Sequence, residues 1–97
     1  MRAFLFLDGE CKGFERFKKR LGEPDLVIAA DGGARHAITC GWMPDHVVGD
    51  LDSLSPALHR RLEKTKFHRY SPKKSQSDAE LALKFLLTQH PTDIVIL

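Results

Sequence analysis

The 97-residue chain lacks the features that mark exported and membrane proteins. It has two cysteines, Cys11 and Cys40, whose spacing fits neither a redox motif nor a metal-ligand pair. The apolar run over residues 1–7 is too short for a signal peptide or a membrane span. We therefore predict a cytoplasmic protein whose two thiols are reduced.

An excess of charge of one sign is also missing. Fifteen Lys and Arg residues stand against 13 Asp and Glu residues, which gives a formal net charge of +2. A nucleic-acid or membrane surface is therefore not indicated by composition. The length fits one domain with a core of its own.

Several well-known motifs are absent as well. Neither common glycine-rich phosphate loop occurs, which argues against a P-loop NTPase and a dinucleotide-binding protein. An EF-hand starting at Asp50 is excluded, because Leu54 and Arg61 occupy positions that need oxygen ligands. The five histidines show no zinc-ligand spacing, so surface or packing roles are expected for His36, His46, His59, His68 and His90.

What the chain does contain is a regular alternation of apolar runs and amphipathic segments. The predicted strands are 3–7, 26–30, 47–48, 67–70 and 93–97, and the predicted helices are 13–21, 34–40, one beginning at Ser55 and one capped by Ser77. We expect the last strand to be buried and the fourth to lie near an edge. The pattern predicts an α/β protein of three layers, with a mostly parallel, Rossmann-like sheet and helices on both faces.

Acidic residues recur where the predicted strands end. Asp8 follows the first strand, Asp31 the second, Asp50 and Asp52 the third, and Asp78 starts the helix after the fourth. Ligands of such sheets usually bind beyond the carboxyl ends of the strands. Asp50 and Asp52 are two residues apart, so an extended chain places both carboxylates on one face, as Mg²⁺ binding requires.

Each acidic residue also has a purely structural explanation. Asp31 could cap the following helix, and Asp78 could complement the positive end of its helix. The Asp50–Ser53 segment could be an ordinary turn after a strand. Together these explanations are weaker, because several converging carboxylates repel one another unless a cation compensates them.

Four segments together resemble the catalytic domain of the thiamine pyrophosphokinase family, over about residues 26–83. The matching residues are Ala30-Asp31-Gly32-Gly33-Ala34, Gly41 with Pro44-Asp45, Gly49-Asp50-Leu51-Asp52-Ser53, and Lys74 through Leu83. The resemblance implies Mg²⁺-dependent transfer of the diphosphoryl group of ATP to the hydroxyl of thiamine, which gives thiamine diphosphate and AMP. It also implies a homodimer and a C-terminal all-β domain, so residues 1–97 are interpreted as an incomplete catalytic domain without that β domain.

The resemblance also implies roles for individual residues. Asp50, Asp52 and Asp78 are the implied metal ligands and catalytic residues. Contacts to the nucleotide or substrate are implied for Asp31, Gly32, Gly33, Ser53, Lys74, Gln76 and Ser77. Many bacterial members carry an aspartate where this chain has Ser75, so one carboxylate of the usual pattern is missing.

Two other functions stay open. A related enzyme could transfer the diphosphoryl group to another alcohol, such as a pterin, and the chain could be a nucleotide-binding fragment without catalysis. We expect the 97 residues alone to bind ATP at best, without thiamine-dependent formation of AMP.

Overall fold

The computed structural model describes residues 1–7, 20, 22–49, 55–69 and 77–97. Within these ranges there are five strands and three helices. The strands are β1 (Arg2–Phe6), β2 (Leu26–Ala30), β3 (His46–Gly49), β4 (Lys66–Arg69) and β5 (Asp93–Ile96). The helices are α1 (Gly33–Thr39), α2 (Pro56–Arg61) and α3 (Asp78–Leu87).

The five strands form one parallel sheet in the order β4-β3-β2-β1-β5. Parallel neighbours need crossover connections, and α1 and α3 pack against opposite faces of the sheet. The predicted α/β fold, with a parallel sheet and helices on both faces, is therefore confirmed. The order reverses at β1, because β2 lies on one side of it and β5 on the other.

The two faces of the sheet carry separate cores, as a strand period of two requires. One face joins Phe4, Phe6, Val27, Ala29 and Val47 to Ala34, Ala37 and Leu62. The other joins Ala3, Leu5, Ile28, Ala30 and Val48 to Leu81, Ala82 and Leu86 of α3. Trp42 packs edge-on against Phe4, with ring centroids 5.2 Å apart.

The predicted elements that fall within the described residues agree with the structure except for the burial of β5. That strand forms an edge, and Ile94 and Ile96 are 38% and 55% exposed, so the expectation of a buried strand was wrong. An apolar run indicates a strand but does not say what covers it. Strand β4 is the opposite edge, as expected. The predicted helix over 13–21 lies outside the described residues except for residue 20. Within the described residues, no helix is long and apolar enough to cross a membrane.

Gly33 sets how closely α1 approaches the end of β1. A Cβ atom built on Gly33 would overlap the carbonyl oxygen of Phe6 and lie 2.7 Å from its carbonyl carbon. Both atoms belong to the backbone of a buried strand, so they cannot move aside as a flexible side chain can. Gly33 is therefore required for the packing of this helix on the sheet.

We predict that Gly33→Ala lowers the free energy of unfolding by about 1–3 kcal/mol or more, because the new methyl group forces α1 away from β1. Urea denaturation followed by circular dichroism measures this. Arg35→Ala, on the exposed side of the same helix, is the control and should change stability by at most about 0.5 kcal/mol. Equal stability of Gly33→Ala and the parent chain would contradict the close approach.

Candidate functional site at the carboxyl ends of the strands

The parallel sheet brings the ends of β1, β2 and β3 to one edge. Asp31 follows β2 directly, and Gly49 is the last residue of β3. Helix α3 packs on the same sheet, and its first residue, Asp78, reaches this edge beside Gly49. Residues from three separate parts of the chain therefore meet at the place where ligands of such sheets usually bind.

Asp31 and the carboxyl group of Asp78 both lie close to Gly49. A Cβ atom built on Gly49 would lie 3.1 Å from Cβ of Asp31 and 3.1 Å from both Cγ and Oδ2 of Asp78. Cβ of Asp31 and the Asp78 carboxyl group are therefore no farther apart than twice that distance. The backbone of Gly49 has φ +148°, a conformation that side-chain-bearing residues rarely adopt.

Asp31 is held in a specific backbone conformation between β2 and β3. Its φ of 44° lies in the left-handed region, which aspartate tolerates better than most residues do. Its N–H donates to the carbonyl of Val48 over 2.8 Å, which ties the end of β2 to β3. The Oδ1 atom of Asp31 is buried. A turn stabilised in this way fixes the side chain beside Gly49.

The alternative in which Asp31 caps α1 through its side chain is wrong. Gly32 occupies the N-cap position, and the helix begins without a side-chain cap. Asp31 contributes to the start of α1 through its backbone carbonyl, which accepts a hydrogen bond from the N–H of Ala34 over 3.2 Å. Cβ of Asp31 lies beside Gly49.

Ser77 and Asp78 begin α3 as the capping signal predicts. Ser77 is the N-cap, and its Oγ accepts from the N–H of Glu80 over 3.2 Å. Asp78 and Glu80 lie in the first turn, where the helix dipole favours negative charge. Asp78 therefore lies where the helix dipole favours its charge, and its carboxyl group also lies beside Gly49, close to Cβ of Asp31.

Several of the predicted site residues lie outside the described part of the chain. They are Asp50, Asp52, Ser53, Lys74 and Gln76, together with Asp8 and Gly9. Among the residues that the structure describes, no group of three or more His, Cys, Asp or Glu side chains is placed to hold a metal ion. The described part supplies two carboxylates, and Asp50 follows Gly49 directly in the chain.

Prediction from the sequence missed one cluster, formed by His46 and His68. Ring nitrogens of these two histidines are 3.0 Å apart across β3 and β4. They are 22 residues apart in the chain, so no local spacing could reveal the pair. The expected packing role is confirmed for both, since each ring packs against Phe85, but their contact with each other was not predicted. The pair could have been predicted only from the correct register of β3 with β4.

These features define an α/β protein with a carboxylate site at the carboxyl edge of a parallel sheet. The model of the family described as "Thiamin pyrophosphokinase, catalytic domain" matches residues 17–97. The chain belongs to this family.

Individual relatives agree with the family. A thiamine pyrophosphokinase of Bacillus subtilis is 36% identical over 76 residues, which are 76% of this chain and 36% of that protein. The crystal structure of thiamine pyrophosphokinase from Bacillus subtilis superimposes with a TM-score of 0.72 at 26% identity, and covers 99% of this chain and 46% of that one. The enzyme from Geobacillus thermodenitrificans gives a TM-score of 0.78 at 20% identity, with the same coverage, and supports the fold alone. The chain thus spans less than half the length of these relatives.

We predict that Gly49→Ala lowers stability by about 1–3 kcal/mol and displaces the Asp78 carboxylate, because its methyl group needs the space that Asp31 and Asp78 occupy. Thermal unfolding and the amide resonances of Asp31 and Asp78 measure the two effects. Val48→Ala is the control, since it removes buried methyl groups one residue earlier without adding an atom between the carboxylates. If both variants perturb the Asp78 amide equally, the convergence at Gly49 is wrong.

Proposed function

We propose that this chain is the nucleotide-binding part of an ATP-dependent thiamine diphosphokinase. The proposed reaction transfers the diphosphoryl group of ATP to the hydroxyl of thiamine and gives thiamine diphosphate and AMP. The observation that carries the proposal is the convergence of Asp31 and Asp78 on Gly49, immediately before Asp50, in a member of this family.

The described residues fit a magnesium ion. Carboxylate oxygens are the ligands that Mg²⁺ prefers, and it is usually held by one or two of them plus phosphate oxygens. Asp31 and the Asp78 carboxyl group lie close together at Gly49, and neighbouring carboxylates repel each other unless a cation compensates their charge. We propose Asp50, Asp52 and Asp78 as the metal ligands and catalytic residues, with Asp31 beside them. When bound, the metal would neutralise negative charge on the phosphate oxygens.

The other proposed contacts are to the nucleotide or the substrate. Lys74 would face phosphate oxygens, where a fixed positive charge stabilises the charge of the transferred group. Asp31, Gly32, Gly33, Ser53, Gln76 and Ser77 complete the proposed set. Gly33 and Ser77 also have structural roles, since Gly33 packs against β1 and Ser77 caps α3.

The domain organisation, assembly and location are also proposals. We propose that residues 1–97 are an incomplete catalytic domain, and that the active enzyme adds an all-β domain and forms a homodimer in the cytoplasm. The coverage of 36–46% of the relatives supports this organisation. Correct placement of the acceptor hydroxyl contributes ~7–11 kcal/mol to such a reaction. The 97 residues alone should therefore bind ATP without forming AMP in the presence of thiamine.

The function is tested with the complete product of the gene that encodes these residues. Thiamine-dependent formation of AMP from ATP, with Mg²⁺ present, supports the proposal. Formation of AMP that depends on a pterin and does not respond to thiamine supports the other acceptor class. AMP formation that requires neither thiamine nor a pterin would contradict the assignment, and so would the absence of any AMP formation. The 97-residue chain, assayed in parallel, should bind the nucleotide but not turn over thiamine.

We predict that Asp50→Asn and Asp52→Asn each weaken Mg²⁺-dependent ATP binding at least tenfold and leave the fold intact. Each change removes one negative ligand from a hard cation while keeping the side-chain shape. Calorimetric titration of ATP with Mg²⁺ present, and with the metal removed by a chelator, measures the effect. Asp93→Asn, which makes the same change of charge in the exposed pair with Arg2, is the control. Unchanged affinity in both site variants would reject the metal assignment.

We predict that Asp78→Asn costs at most about 1 kcal/mol of stability through the helix dipole but reduces turnover of the complete enzyme by at least a hundredfold. Glu80→Gln is the matched control, because it removes the same charge from the same first turn. Its stability should fall by a similar amount while its turnover stays near that of the parent. If the two variants have equal turnover, Asp78 has only the structural role.

A further inference from the structure

His46 lies at the end of β3 that is farthest from the carboxylates, and it contacts His68 of β4. His46 is the first residue of β3, and Gly49 is its last. Three steps along a strand separate the two ends by about 10 Å. His68 lies on β4 opposite Val48, while Lys66 lies directly opposite His46. The pair therefore spans the β3–β4 boundary diagonally on the face that α3 covers.

The two rings direct nitrogen atoms at each other. Nδ1 of His46 and Nε2 of His68 are 3.0 Å apart, within hydrogen-bonding distance. Neutral imidazole carries one N–H and one lone pair, so one ring donates and the other accepts. Two histidine nitrogens bound to one tetrahedral zinc ion, with bonds of about 2.0–2.1 Å, lie about 3.3–3.4 Å apart. The observed separation needs to widen by only a few tenths of an ångström.

Phe85 of α3 holds both rings in place. Its ring centroid lies 4.7 Å from that of His46 and 4.3 Å from that of His68. Both histidines are half-buried, so the rings are restrained while part of each remains open to solvent. A ligand pair that is already ordered loses little conformational entropy when a metal binds.

The charges around the pair act in opposite directions. Burial, followed by the neighbouring His68, lowers the pKa of His46, Lys66 lowers it slightly further, and Asp45 raises it. The lowered pKa favours neutral imidazole, which is the form that binds metals. The Asp45 carboxylate accepts from the N–H of Val27 over 2.8 Å, so it is held in the sheet beside His46.

We propose that His46 and His68 form a transition-metal-binding site, of the zinc or nickel class, that joins β4 to β3. Nδ1 of His46 and Nε2 of His68 are the protein ligands, and water completes the coordination. Binding transfers the shared proton to the other nitrogen of the donating ring, so two neutral histidines release no net proton. Imidazole is the softer ligand and suits Zn²⁺ or Ni²⁺, whereas Mg²⁺ prefers the carboxylates at Gly49. The proposal is independent of the proposed function.

The site is tested by metal-dependent stability of the 97-residue chain. A ligand that binds only the folded state raises its melting temperature, so excess ZnCl₂ in metal-free buffer at pH 7.5 with a non-chelating reductant should raise Tm by several degrees. Any rise with MgCl₂, which prefers oxygen ligands, should be the same in the parent and in a variant that lacks His68. His68→Gln should abolish the Zn²⁺-dependent rise, whereas His90→Gln, at an exposed histidine, should keep it. No rise in the parent, or the same rise in His68→Gln, would overturn the proposal.

A second measurement needs no variant of the pair. In the parent chain labelled with ¹⁵N in its histidines, Zn²⁺ should shift the Nδ1 resonance of His46 and the Nε2 resonance of His68. The rings of His36, His59 and His90 should be unaffected at one equivalent of metal. Shifts confined to other histidines, or no shift in any ring, would refute the site even if His68→Gln failed to fold.

Discussion

The absence of a side chain at two glycines determines how close the parts of this molecule can come. Gly33 lets α1 approach the backbone of Phe6, and Gly49 lets Asp31 and Asp78 lie around the end of β3. Both glycines stand at the carboxyl edge of the sheet, where three strands end. A methyl group at either position would enter space that is already filled. The geometry of the carboxylates is therefore a consequence of backbone packing, and the proposed metal site depends on it.

Strand β3 has different chemistry at its two ends. Gly49 and the neighbouring carboxylates offer hard oxygen ligands, and His46 offers imidazole nitrogen together with His68. Helix α3 links the two regions, because Asp78 begins it and Phe85, which contacts both histidines, lies near its end. Because oxygen and nitrogen ligands prefer different metals, we expect the two regions to bind different metals. A change in the packing of α3 would therefore alter both the carboxylates at Gly49 and the histidine pair.

The fold could be predicted from the sequence because its signals are local. Apolar runs gave the strands, and Ser55 and Ser77 marked helix starts that the structure confirms. The exposure of Ile94 and Ile96 could not be predicted, since burial depends on what covers a strand. The His46–His68 pair depends on the register of β3 with β4, and the contact at Gly49 depends on packing between distant segments. Asp31 and Asp78 were correctly expected at one edge of the sheet, while Asp50 and Asp52 remain predictions.

We propose that a divalent metal binds together with its nucleotide where Asp31, Gly49 and Asp78 meet. Mn²⁺ can replace Mg²⁺ at oxygen sites, and its unpaired electrons broaden nearby NMR signals. Titration of Mn²⁺ and ATP into the ¹⁵N-labelled chain, with Zn²⁺ excluded, measures this binding. We expect the amide signals of Asp31, Gly49 and Asp78 to disappear first. Earlier loss of the signals around His46, or uniform broadening across the sheet, would show that the metal binds elsewhere.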